Sequence, residues 1–467
     1  MSLWTSADAI AATGGTSAVD WTANGVSIDT RTLAPGDMFV ALKDVRDGHD
    51  FVAQALEKGA ACALVSRIPD GIAADAPLLV VPDVLTGLEA LGRAARARTK
   101  AQVIGITGSV GKTSTKEMLR HMLASQGRVH AAEKSYNNHW GVPLTLARMP
   151  ADSDYAVIEI GMNHPGEIKP LAQMADLDVA MITIVAAAHL EAFNSVADIA
   201  EEKADIFYGL MESGGAAVVN ADLDVSDRLL ERAPFGCVMY GHSDKAQWRF
   251  VEVTETEGGT ICRAEHQGST FLFKVNAPGR HFAMNALGAL AVCDRVEADL
   301  AECVLALGQW RPPAGRGQRR FIALDRQMPD AGIDLFDDAY NANPASVGAA
   351  LDVLAASSPP AAAGRRVAIL GDMKELGETG AALHAGFAKH RAMEAIDQVH
   401  CVGPLMKHLY DALPESKHGL WAETSAELAE SPLALVRAGD VVMAKGSLSM
   451  KMALIVDAIT KLGQSVE

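Results

Sequence analysis

The chain has 467 residues, more than one hydrophobic core usually serves, so its length implies two to four domains with three as the central expectation. Its 41 Lys and Arg against 58 Asp and Glu leave a net charge of -17, which argues against a general binder of nucleic acid or anionic membrane and requires any anionic substrate to be held by local groups. Six cysteines at 62, 237, 262, 293, 303 and 401 form no CxxC pair or disulfide framework, and no stretch approaches the length of a membrane span, so the expectation is a soluble cytoplasmic protein.

Short strand patterns at 26–29, 38–42 and 62–65, with a helical stretch from Asp50 to Gly59, predict a small α/β unit at the start of the chain. Its polar signature is Asp29-Thr30-Arg31 ahead of Pro35-Gly36-Asp37. Thr30 and Arg31 suit a phosphate or a uracil edge, since the planar guanidinium matches such groups; turn chemistry with a surface ion pair is the plainer reading. The basic helical run 93–100 reads as a connector and sets a boundary near residue 100.

An apolar run from Val103 then breaks into Gly108-Ser109-Val110-Gly111-Lys112-Thr113-Ser114 and a helix over 112–124. Small loop residues let backbone N–H groups converge on an anion, the helix directs its positive end at the same point, and Lys112 adds a full charge. Thr113 would offer its hydroxyl to the Mg²⁺ that accompanies a nucleotide. The position where the strict P-loop spacing places another glycine is Ile106, so a mononucleotide such as ATP is implied by the shorter glycine-lysine-threonine core.

Past this cradle, Asn137-Asn138 precedes a helix, as a cap or as a binder of sugar and amide groups. The run 155–161 reads as a buried parallel strand with Glu159 near its carboxyl end, where a lone charge must be paired or hold a metal. The strand 179–185 leads to His189 on the same rim. Lys203, after Glu201 and Glu202 on a helix beginning near Ser195, reads by itself as part of a solvated face. An antiparallel meander follows over 247–275, and Asn285 lies on an alanine-rich helix after Pro278-Gly279-Arg280-His281, facing an adenine edge or solvent.

The Pro/Gly break 310–317, Trp310 to Gly317 through Arg316, marks a second boundary. Beyond it, alternating strands and helices predict a second doubly wound parallel domain, with polar strand tips at 337–343, 371–377 and 445–447 that suggest a cleft facing another domain. The predicted fold class is α/β in three domains, 1–100, 101–314 and 315–467: a small N-terminal unit, a P-loop ATPase-like parallel sheet with added antiparallel strands, and a Rossmann-like C-terminal unit.

These motifs together resemble the Mur ligase family of ATP-dependent amide-bond ligases, over essentially the whole chain. The resemblance rests on Asp29-Thr30-Arg31, Thr107 to Thr113, Asn137-Asn138 with Gly141-Val142-Pro143, Glu159-Ile160-Gly161-Met162-Asn163 and Ala187-Ala188-His189-Leu190-Glu191. It extends through Gly279-Arg280-His281 with Asn285, Gly315-Arg316-Gly317, the stretch from Asp337 through Asp338 to Pro344, Gly371-Asp372-Met373 and Lys445-Gly446-Ser447. The Asp-Asn-Pro-Arg motif of the relatives that add diaminopimelate or lysine is absent, and folylpolyglutamate synthases lack the N-terminal unit.

The resemblance implies an enzyme that adds D-alanyl-D-alanine to a UDP-N-acetylmuramoyl-tripeptide through an acyl phosphate, in peptidoglycan precursor synthesis. It assigns the β- and γ-phosphates to Lys112, one Mg²⁺ to Thr113 and Glu159, and a second Mg²⁺ to His189. Lys203 looks like the family's carbamylated lysine, an anionic metal ligand. Asn285 is implied at adenine, Arg316 and Asp338 at ATP, Thr30, Arg31 and Asn138 at the UDP-muramoyl end, and Asn341 and Lys445 in the dipeptide cleft. Small-molecule partners and a monomer complete the expectation. A sister ligase with another acceptor, folylpolyglutamate-type ones included, and a non-enzymatic nucleotide-gated interaction protein are the alternatives.

Overall fold

The structure is a computed structural model that describes residues 2–188, 190–210, 214–234, 236–325 and 331–466. Near the N-terminus, four parallel strands run in the order Gly25–Ser27, Asp37–Val40, Cys62–Val65 and Leu78–Val80. The basic run that suggested a connector is the end of a longer helix, Val84–Ala97, which buries Leu88, Leu91 and Ala95 at helical spacing. Its apolar stripe packs in one core with Leu144 and Ala147 of the next unit. Polar links reinforce that junction: the Trp4 indole N–H donates to Ala147 O at 2.8 Å, and Arg148 Nε donates to Val26 O at 2.6 Å.

The central sheet has nine strands, with Gln102–Thr107 between Val179–Ile182 and Tyr155–Glu159. These strands and Ala216–Asn220 run parallel and are mostly apolar, with polar residues at their ends, as suits strands buried on both faces. Trp248–Thr256, Gly259–His266 and Ser269–Val275 form the expected antiparallel meander at one end. Two parallel strands escaped the sequence reading, Val129–Ala131 and Val238–Gly241, because three or four residues carry too little periodicity.

The C-terminal sheet has seven strands, and four neighbours in it, His418–Ala422, Gln398–Val402, Arg366–Gly371 and Val441–Lys445, are parallel with Gly332–Asp338 beside the last. It departs from the all-parallel expectation at Gln318–Ala323, which is antiparallel to both Gly332–Asp338 and Gln464–Val466. That strand enters directly from the Gly315-Arg316-Gly317 break, and an antiparallel pair does not need the helical crossover that a parallel pair does. In the register of the sheet, Lys445 sits between Asp338 and Leu370, which sets three polar strand tips side by side.

Candidate active site

The central strand Gln102–Thr107 turns through Gly108 and Gly111 into helix Lys112–Leu123. Both turns need glycine. Backbone φ is +152° at Gly108 and +92° at Gly111, and a Cβ would stand 1.9 Å from Thr183 Oγ1 at the first and 2.7 Å from Asn285 Oδ1 at the second. The loop is pinned to the neighbouring strand end, since Ser109 donates its N–H to Ile184 O at 2.6 Å and Thr183 donates its hydroxyl to Val110 O at 2.7 Å. Lys112 Nζ lies folded along the loop and donates to Gly108 O at 2.6 Å. Burial lowers its pKa, with the Glu159 charge opposing and Arg316 adding to the effect. An anionic phosphate beside it restores the charged form.

Glu159 ends its strand inside the protein, where it accepts the Thr113 hydroxyl at 2.9 Å and Asn137 Nδ2 at 2.7 Å. Thr113 Oγ1 also lies 2.9 Å from Ser135 Oγ, which accepts from the Arg316 guanidinium at 2.9 Å. A continuous polar chain therefore runs from Glu159 across the cleft to the C-terminal unit. Hard oxygens from Glu159 and Thr113 suit Mg²⁺. Among the described residues no group of three or more His, Cys, Asp and Glu gathers, so the rest of such an ion's shell would come from phosphate and water.

The run from Glu201 to Lys203 does not share one solvated face. Glu201 points outward and accepts from Arg232 at 2.8 Å, whereas Glu202 is buried and accepts the N–H groups of Gly166 and Ile168 at 2.7 and 3.0 Å. Lys203 is 1% exposed, and among the described residues its Nζ has only Met162 Sδ, at 4.0 Å. Burial drives its pKa well below the usual lysine range, and the nearby Lys112 charge adds to this while Glu202 opposes it. The side chain is thus an amine buried beside the phosphate loop, where burial disfavours its charged form. His189 lies outside the described residues.

Asn285 is buried on helix Arg280–Arg295, and among the described residues its Oδ1 accepts no hydrogen bond, an unsatisfied acceptor above Gly111 that fits the exocyclic amine of adenine. Arg316 also stacks 4.1 Å above the Tyr340 ring, and Lys445 Nζ donates to Asp338 Oδ2 at 2.7 Å and to Asn341 O at 2.9 Å. Burial raises the Asp338 pKa, which Lys445 opposes. Asn341 lines the cleft while its Oδ1 accepts the Ala342 N–H at 2.9 Å. Together these walls enclose a cleft of about 630 Å³ between the central and C-terminal sheets, the size of a small-molecule site, and Ser114 and Val110 complete its floor.

The three residues assigned to the UDP-muramoyl end stand apart from this cleft. The Thr30 hydroxyl donates to Gln54 Oε1 at 2.9 Å, Arg31 is exposed and pairs with Asp29 at 2.6 Å, and Asn138 Oδ1 accepts the Gly141 N–H at 2.9 Å. Asn137, its neighbour, faces the cleft instead. The sequence reading passed over Ser135 and Tyr340, and of the paired asparagines it assigned Asn138 to a substrate, since adjacency could not say which of them turns inward.

Three family models match this chain: the Mur ligase family, catalytic domain, over residues 22–99; the Mur ligase middle domain over 106–293; and the Mur ligase, glutamate ligase domain over 319–448. The UDP-N-acetylmuramoyl-tripeptide--D-alanyl-D-alanine ligase of Escherichia coli is 35% identical over 95% of each chain. Its Rickettsia prowazekii counterpart is 32% identical over 93% of this chain and 94% of that one. Among solved structures, MurF from Acinetobacter baumannii superposes with a TM-score of 0.84 at 27% identity, over 98% of this chain and 99% of that one. MurF from Thermotoga maritima, solved in complex with ADP, gives 0.77 at 25% identity over 94% and 97%. With family models on all three units and relatives at this identity over nearly the whole length, the chain belongs to the Mur ligase family.

Proposed function

We propose that this protein is an ATP-dependent ligase that joins D-alanyl-D-alanine to UDP-N-acetylmuramoyl-tripeptide. The observation that carries the reading is the shared cleft: the phosphate loop, Glu159 and Lys203 line one wall, and the C-terminal strand tips line the other. The names of the relatives supply the substrates.

In this reading the tripeptide carboxylate attacks the γ-phosphorus and ADP leaves; the dipeptide amine then adds to the acyl carbon, and phosphate leaves with the C–O bond. Lys112 and the loop N–H groups hold the transferring phosphoryl group and stabilise its charge. Asn285 accepts from the adenine amine, and Arg316 with Asp338 holds the nucleotide from the C-terminal side. Glu159 and Thr113 would hold a Mg²⁺ ion, with His189 assigned to a second, and such ions would supply neutralisation of the phosphate charge. Lys203 takes up CO₂, forming an N–C bond and releasing a proton, and so becomes an anionic oxygen donor. Thr30, Arg31 and Asn138 serve the UDP-muramoyl end, and Lys445 frames the dipeptide end by holding Asp338 and the Asn341 carbonyl. The units 1–100, 101–314 and 315–467 act as three domains around the cleft.

The test is ATP-dependent phosphate release. It should require both the UDP-muramoyl-tripeptide and D-alanyl-D-alanine, with the amide product identified by mass. Turnover with a single free amino acid but not with the dipeptide overturns the reading.

A further inference from the structure

Among the described residues, five Lys and Arg side chains line the cleft, Lys112, Lys203, Arg316, Lys374 and Lys445, and four of them have other work. Lys112 belongs to the phosphate loop, Lys203 is 1% exposed beside that loop, and Arg316 is fixed by Ser135 and Tyr340. Lys445 is 3% exposed and spends itself on Asp338 and the Asn341 carbonyl. Lys374 differs. Its side chain is 40% exposed, and its ammonium makes one ion pair, with Asp372 Oδ2 at 2.9 Å, leaving two of three donors for the cleft.

Its position is fixed from behind. Asp372 is fully buried, its Oδ1 accepts the Met406 N–H at 2.7 Å, and its carboxylate packs so closely on Gly403 that a Cβ there would stand 2.4 Å from the same oxygen. The Lys374 N–H donates to Ser447 Oγ at 2.9 Å, which ties its loop to the tip beyond Lys445. The next residue, Glu375, holds a left-handed φ of +65°, and its carbonyl receives the Glu191 N–H at 3.4 Å from the central unit. A non-glycine residue kept there marks a loop whose shape is over-determined.

We propose that Lys374 Nζ binds the terminal carboxylate of the acceptor dipeptide and so sets which amine substrates are accepted. The inference rests on the ligase reading above. The acceptor amine must reach the activated carbonyl carbon near Lys112 and Glu159, on the central wall. Its carboxylate lies at the other end of a two-residue chain, about 7 Å when extended, so both ends are held inside one cleft. Lys374 is the cation on the opposite wall with donors to spare.

The test compares D-alanyl-D-alanine with its C-terminal carboxamide in wild type, Lys374→Ala and Lys374→Arg, at saturating ATP and UDP-muramoyl-tripeptide. Wild type should show a KM for the carboxamide about tenfold to a hundredfold higher, the scale of a lost charge-assisted hydrogen bond. Lys374→Ala should raise the KM for the acid by a similar factor and treat acid and amide alike, with the KM for ATP unmoved; Lys374→Arg should restore part of the preference. A wild type that does not distinguish acid from amide overturns the proposal without any variant. So does a Lys374→Ala enzyme that keeps the preference, or one that raises the KM of all three substrates together. Failure of the wild type to use the dipeptide at all overturns the ligase reading instead.

Discussion

Asn285 lies against Gly111 so closely that a Cβ on the glycine would meet its Oδ1 at 2.7 Å, and that oxygen is buried with no donor to satisfy it among the described residues. A buried acceptor left unpaired costs folding energy unless a ligand supplies the donor. Asn285→Ala is therefore expected to leave the melting temperature close to wild type while ATP binds about tenfold more weakly, the scale of one hydrogen bond. The preference for ATP over ITP, which lacks the exocyclic amine, should disappear. Calorimetric titration with both nucleotides decides; an undiminished preference places adenine elsewhere.

Gly111→Ala attacks the same contact from below. A φ of +92° strains any residue with a Cβ by about 1 to 2 kcal/mol, and here the methyl also collides with Asn285. Gly14 supplies the control, because its φ of +66° carries the strain but a Cβ there meets nothing within 4 Å. Both alanine variants should lose some stability, and only Gly111→Ala should lose nucleotide affinity. Equal ATP affinities in the two variants would refute the loop's role.

Lys112 and Lys203 are two lysines lining the cleft with different expected failures. Lys112→Ala removes the charge that meets the transferring phosphoryl group, so kcat should fall on the order of a hundredfold or more. Near-normal product formation contradicts the cradle. Lys203→Ala should also be inactive, but added short carboxylic acids should restore part of its turnover by filling the space of the carbamate. An independent readout is the carbamate signal after growth in carbon-13 bicarbonate, present in wild type and absent in the variant. An active Lys203→Ala enzyme removes the assignment.

The phosphate loop could be read directly from the chain because local spacing alone decides it: glycines where φ is positive, then lysine and a hydroxyl at the helix start. Glu159 was readable for a related reason, as a charge closing an otherwise apolar strand. Lys203 was not, except through the resemblance. Its acidic neighbours suggest a solvated face, and only the fold reveals that Glu202 is consumed by the N–H groups of Gly166 and Ile168 while Lys203 turns inward. Likewise, nothing local separates Asn137 from Asn138. The choice is made by Glu159, 22 residues from Asn137, which accepts the amide of one and leaves the other to cap a turn. The antiparallel strand Gln318–Ala323 was missed because its one fully buried residue, Ile322, gives no alternation to read.

His400 makes stability depend on pH in a direction the structure fixes. It is fully buried in the C-terminal sheet; its Nδ1 accepts the Leu420 N–H at 2.9 Å, which assigns the ring proton to Nε2, 3.1 Å from Leu435 O. Burial pushes its pKa down to about 4, against the bond to Leu435, which raises it. Between that value and the ordinary histidine pKa of about 6.5, the unfolded chain binds the proton and the folded chain does not. Stability therefore falls as pH drops below about 6.5, by roughly 2 kcal/mol at pH 5 from this one group, and the full loss is in place below about pH 4. His400→Asn keeps a side-chain acceptor for Leu420 and removes the titration. It should be less stable than wild type at pH 7 yet lose much less between pH 7 and pH 5. Urea denaturation followed by tryptophan fluorescence, to which Trp421 on the neighbouring strand contributes, reads the difference. An equal loss in both proteins would mean that another group carries the acid sensitivity of this sheet.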